Sequence, residues 1–163
     1  MGVAGLKRYF EDGVAYFVTA VTKDRRALFL DPKLCRILLV TIEYHKTLFD
    51  YKVFAYCVMP DHFHWIVQPS QRFNLSFIMQ MIKGSFSRKI NKLNRGQGHL
   101  WQKRYYDKGI RNEHQLAQQI TYVHQNPVRA GLVLREADYL HSSYHQYHGG
   151  GADYRNVLEV EAW

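Results

Sequence analysis

Residues 57–69 read CVMPDHFHWIVQP. Apolar, aromatic and β-branched residues stand on both sides of a Pro-Asp break, the signature of two short strands joined tightly. The first strand covers about Lys52 to Val58 and the second His62 to Gln68. The link Met59-Pro60-Asp61 suits an antiparallel connection. Side chains on a strand alternate between faces, so His62 and His64 project from the same side of this hairpin.

The flanking sequence builds a sheet and its helices around the hairpin. Upstream, Val14–Thr22 (VAYFVTAVT) reads as a strand, and KDRR as a polar break. Asp31 is placed to cap a helix that has Pro32 at its first position. Leu34, Ile37, Leu38, Ile42 and Leu48 keep a helical period through that segment. Downstream, a second helix runs from about Asn74 to Leu93, with Ile78, Ile82, Phe86, Ile90 and Leu93 as its apolar stripe. NRGQGH is a connector, and LWQKRYYDKGIR leads into a further strand. A third helix begins behind Asn112, with Leu116, Ile120 and Val123 at spacings of four and three. It is expected to stop near Asn126, because Pro127 disfavours helical geometry in the residue before it.

This order predicts an α+β, ferredoxin-like plan, a mainly antiparallel sheet with helices packed on one face. The other face is expected to be open, where a site can be built. One domain over residues 1–148 is expected, with 149–163 as a tail that starts at a Gly triplet. There are no repeats.

Composition narrows the partners. Lys and Arg number 22 against 14 Asp and Glu, for a net charge of +8 and a pI near 9.5. Such an excess points to a polyanion, most often nucleic acid. No basic amphipathic segment or lipidation signal supports a membrane surface instead, and no apolar run is long enough to span a bilayer. The N-terminal MGVAGLKRYFEDG lacks the apolar segment of a secretory signal. Cys35 and Cys57, the two cysteines, sit in apolar runs and read as core residues in a reducing cytoplasm. Twelve Tyr, nine Phe and three Trp supply core and, in part, platforms for unpaired bases.

Two imidazoles at i and i+2 on one strand face can grip a divalent ion, though nine histidines make such a pair a frequent accident. A third ligand is needed. Tyr122 and Asn126 lie four apart on the third helix and share a face. An amide oxygen suits a ligand, and a tyrosine beside it suits a nucleophile. A phenol titrates near about 10 when unperturbed and is a weak nucleophile at neutral pH. Spacing alone does not choose Tyr122 over Tyr105 or Tyr106.

Four blocks decide more: VMPDHFHWIVQP, IKGSFSRKIN, LWQKRYYDKGIR and YVHQNPVRAGLV. In this order they resemble the REP-associated tyrosine transposases, relatives of the single-tyrosine transposases of small insertion sequences. These are HUH endonucleases, where U is a hydrophobic residue. The resemblance runs from about Val14 to Ser143. It implies that His62 and His64 are the two motif histidines with Phe63 between them, and that Tyr122 is the nucleophile. It implies Asn126 as third metal ligand, Mg²⁺ or Mn²⁺ as cofactor, and a ferredoxin-like fold with the histidines on a central strand. The implied substrate is single-stranded DNA carrying a repetitive extragenic palindrome hairpin, cut through a 5′-phosphotyrosine bond. The implied setting is a bacterial cytoplasm, near the nucleoid, for a monomer or homodimer.

Lys83, Arg88, Lys89, Lys103, Arg104 and Arg129 are the candidate DNA-facing cations, each also readable as solvated charge. Three other functions compete. One is a DNA- or RNA-hairpin-binding regulatory module without chemistry. The others are a hydrolase that uses water, and a structural metal site.

Overall fold

The computed structural model describes residues 11–149 and 158–161. Four strands form one sheet in the order β2-β3-β1-β4, antiparallel at every junction. They are β1 (Ala15–Val21), β2 (Lys52–Met59), β3 (His62–Gln68) and β4 (Tyr106–Ile110). The helices are α1 (Pro32–Phe49), α2 (Leu75–Asn94), α3 (Glu113–Arg129) and a short α4 (Tyr144–His148). The chain thus runs β-α-β-β-α-β and then α, the expected ferredoxin-like α+β fold.

Caps fix the helix starts. Asp31 accepts from the Lys33 amide, Asn74 from Phe77 and Asn112 from Gln115, so each satisfies a backbone donor that no helical carbonyl can reach. α1 and α2 cover one sheet face. Val18, Phe63, Trp65 and Val67 from that face pack against Leu38, Ile42, Ile78, Ile82 and Phe86. Cys35 and Cys57 are both buried and unpaired, as core residues. Leu48 and Leu93, expected in the apolar stripes, are exposed instead, since both lie in the last turns of their helices beyond the sheet.

The expectation that all helices share one face needs correction. α3 lies on the opposite face, where Leu116, Ile120 and Val123 pack on Phe17, Phe54, Ala55 and Ile66. Its apolar stripe needs burial as much as the other two do, and the sheet has a second apolar face to supply it. α3 also continues three residues past Asn126. Pro127 removes a single helical donor in the final turn, and its ring is buried. The stop is set later, by Gly131 at φ +70°, where the Gly131 and Leu132 amides turn back to the Val128 and Pro127 carbonyls.

Described residues beyond α3 also have defined places on the domain. Residues 141–143 pair along the edge of β2, with Val58 donating to the His141 carbonyl and Ser143 to that of Tyr56. Leu158 is fully buried in the core shared by α1, α2 and the sheet, and the Glu161 amide donates to the Val53 carbonyl at 2.7 Å. Part of the Gly triplet and most of the N-terminal stretch lie outside the described residues. Among the described residues, no helix is long and apolar enough to cross a membrane.

Candidate active site

The alternation of β3 decides which side carries the site. Phe63, Trp65 and Val67 face α1 and α2, so His62 and His64 face α3. Their Nε2 atoms stand 3.1 Å apart. The outer nitrogens are engaged: His62 Nδ1 meets Asp61 Oδ1 at 2.5 Å, and His64 Nδ1 meets Thr19 Oγ1 at 2.7 Å. A carboxylate only accepts, so Asp61 places the His62 proton on Nδ1 and leaves the Nε2 lone pair pointing inward. Asp61 is itself held by Arg25 at 3.0 Å. Burial works to raise the Asp61 pKa, but the bonds from His62 and Arg25 outweigh it and hold the carboxyl below its usual value.

His64 is buried, and burial together with the adjacent His62 pushes its pKa down to about 3, against an opposing bond to Asn126. The ring is therefore neutral at physiological pH. Asn126 gives its Nδ2 to the Tyr122 carbonyl at 2.8 Å, which leaves its oxygen as the end that meets His64. No group of three or more His, Cys, Asp or Glu side chains able to hold a metal is found among the described residues. Two imidazole nitrogens and one amide oxygen do converge. Two facing lone pairs repel unless a proton or cation lies between them, so this donor set fits a divalent ion that accepts mixed nitrogen and oxygen ligands.

Tyr122 projects from α3 toward the same point. Its ring centroid is 6.2 Å from that of His64 and 5.7 Å from that of Phe17, and about a third of the residue is exposed. The Arg129 guanidinium, three residues on from Asn126, lies over the phenol at 5.3 Å. Phe17, Thr19, His64, Tyr106, Lys108, Tyr122 and Arg129 line one open cleft of about 850 Å³.

Of the expected cations, Arg129 alone lines this cleft. Lys83, Arg88 and Lys89 stand on α2, across the sheet from the histidines. There Lys83 donates to the Gln102 and Lys103 carbonyls, Arg88 to Ser85 and Lys89 to Thr41. Lys103 and Arg104 are exposed on the irregular approach to β4. Sequence reasoning missed Thr19, Arg25 and Asp61, which hold the histidines, and Phe17 and Lys108 in the cleft wall. Asp61 had a signal, its place directly before His62. The others come from β1, β4 and the turn after β1, and only cross-strand register brings them in.

Fold and cleft together define a class: an HUH-type fold with paired histidines on a central strand and a tyrosine on the helix facing them. A family profile described as "Transposase IS200 like" matches residues 12–126, and the chain belongs to that family. It is 27% identical over 156 residues to a Haemophilus influenzae protein named "Putative REP-associated tyrosine transposase", covering 88% of this chain and 87% of that one. It is 25% identical to the REP-associated tyrosine transposase of Escherichia coli, over 86% and 82% of the two chains. A solved REP-associated tyrosine transposase bound to a REP hairpin superposes with a TM-score of 0.79 at 23% identity, covering 98% of this chain and 93% of that one. That likeness confirms the fold.

Proposed function

We propose that this chain is a metal-dependent single-stranded DNA endonuclease and strand transferase that acts on REP-type hairpin DNA through a 5′-phosphotyrosine intermediate. The observation that carries the proposal is that Tyr122 and His64 line one open cleft, with His62 and Asn126 both meeting the His64 ring. The names of the two relatives and the hairpin bound to the structural neighbour supply the substrate class.

His62, His64 and Asn126 would hold Mg²⁺ or Mn²⁺. When bound, such an ion neutralises charge on the scissile phosphate and polarises its oxygen. Tyr122 attacks phosphorus in line through its phenolic oxygen. The bond to the 3′-oxygen breaks, a 3′-hydroxyl departs with a proton, and the phenolic proton passes to solvent. The 5′-phosphate is then esterified to Tyr122. Because one phosphodiester is exchanged for another, attack by a free 3′-hydroxyl reverses the step and joins strands without ATP. Arg129, stacked on the phenol, is placed to offset negative charge as it develops on the phosphoryl oxygens. Asp61 and Thr19 orient the imidazoles before substrate arrives, so little reorganisation is left to the reaction itself. The natural setting is the bacterial cytoplasm, where single-stranded hairpins form on replicating or transcribed DNA.

The test is a denaturing gel of labelled hairpin DNA mixed with protein and Mn²⁺. Wild type should give a slow protein–DNA band that Tyr122→Phe lacks. Cleavage without an adduct indicates a water-using nuclease, and binding without cleavage indicates a regulatory hairpin binder.

A further inference from the structure

Tyr106 occupies an unusual place in the cleft. It pairs with Thr19 across β1 and β4, and Lys108 pairs with Phe17. Cross-strand partners project from the same face, so Tyr106 and Lys108 stand on the face that carries His64. Tyr106 is 58% exposed, while the preceding Tyr105 turns to the other face and packs against the main core. Phe17 sits between three rings. It stacks on His64 at 5.4 Å, and meets Tyr122 edge-on at 5.7 Å and Tyr106 at 6.2 Å. Tyr106 is therefore separated from the nucleophile by one buried ring.

We propose that Tyr106 is a stacking platform that seats a nucleobase next to the scissile phosphodiester, with Lys108 holding the neighbouring phosphate. The proposal rests on the reading of the cleft as a single-stranded DNA site. An aromatic ring and a cation two residues apart on a strand match the two needs of an unpaired nucleotide, a flat apolar face and a positive charge. The platform is rigid because β4 is hydrogen-bonded along β1, and the same sheet carries the histidines. A base held there fixes the register of the strand, so that one phosphate and not its neighbour lies before Tyr122. Tyr106 thereby acts on positioning and on the choice of cleavage site, with no part in bond-making. Stacking accepts every base, so sequence preference at this step is weak.

The test uses the full chain and a single-stranded hairpin oligonucleotide in fluorescence anisotropy, with single abasic sites walked along the unpaired flank. Tyr106→Ala should weaken binding about fivefold to a hundredfold, the range for loss of one base–aromatic stack. Tyr106→Trp and Tyr106→Phe should retain it. At one flank position, an abasic site should cost wild type what Tyr106→Ala costs, and should cost Tyr106→Ala nothing further. On the cleaved product, Tyr106→Ala should spread cuts over adjacent phosphates, and Lys108→Gln should lower the salt dependence of binding. Binding by Tyr106→Ala within twofold of wild type would overturn the platform and leave the proposed reaction standing. An equal loss on every abasic oligonucleotide would also overturn it. Failure of wild type to bind any single-stranded hairpin would remove the underlying reading, and the platform with it.

Discussion

His62 and His64 are held from behind by different groups, and this makes their roles separable. His62 leans on a carboxylate that Arg25 anchors, and His64 on a hydroxyl from the neighbouring strand. A carboxylate both fixes the tautomer and raises the basicity of the ligating nitrogen, whereas a hydroxyl mainly orients the ring. Asp61→Ala should therefore lower Mn²⁺ affinity about 10- to 100-fold, read by calorimetry or by the electron-spin signal of free Mn²⁺. Thr19→Val should lower it less. Unchanged affinity in Asp61→Ala would show that this carboxylate does not support the site. The sequence presented the histidine pair clearly, because a period of two on a strand needs no tertiary information. Asp61 looked like an ordinary turn residue, and Tyr122 was one of twelve tyrosines until the motif around it was compared with a known family. Phe17, Thr19 and Lys108 were not legible, since a strand's partner and register depend on the whole sheet.

At the scale of elements, α3 has two working faces. One presents Tyr122 and Arg129 to the cleft and Asn126 to His64. The other buries His124, whose Nε2 meets Ser143 Oγ at 2.9 Å between the rings of Tyr144 and Tyr147. Burial, with a smaller push from His148, lowers the His124 pKa to about 4. An unfolded histidine titrates near about 6.5. As pH falls below that value the unfolded chain takes up a proton that folded His124 refuses, so stability declines from about pH 6.5 to about pH 4 and then levels. This one group contributes at most about 3 kcal/mol to the decline. His124→Gln keeps a partner for Ser143 and should flatten the curve, measured by urea unfolding in metal-free buffer across that window. An equally steep decline in the variant would contradict this account of His124. Caps and apolar periods made α1, α2 and α3 readable to within a residue at their starts, while the short α4 went unread. The end of α3 was misread because a proline in a final turn costs a single bond, and the true stop was Gly131. The face α3 occupies was misread because helical period says which side of a helix is buried and nothing of which side of a sheet receives it.

Across the whole molecule, the sheet separates the candidate site from α1 and α2. The cleft opens on one sheet face, and the opposite face carries α1, α2 and the cations of α2, so the basic surface is wider than the site. The net charge of +8 pointed to a polyanion, but it did not say which cations face the candidate site. Arg129 does, while Lys83 and Lys89 bond to the protein itself. Leu158 ties the C-terminal segment into the main core, and Glu161 reaches both the β2 edge and Lys46. Leu158→Ala should cost about 2–5 kcal/mol, as for a leucine removed from a well-packed interior, measured by denaturant unfolding. A loss below about 0.5 kcal/mol, the level of ordinary surface substitutions, would show that the segment only rests on the domain.

The central claim is that Tyr122, and no other tyrosine, takes the 5′-phosphate of a cut DNA strand. The most direct measurement is mass spectrometry of the protein after incubation with single-stranded hairpin DNA and Mn²⁺, followed by nuclease trimming and proteolysis. The account predicts one peptide, spanning Tyr122, with the added mass of a 5′-linked nucleotide, and its absence in Tyr122→Phe. A nucleotide on Tyr105 or Tyr106, or cleaved DNA with every tyrosine unmodified, would contradict it.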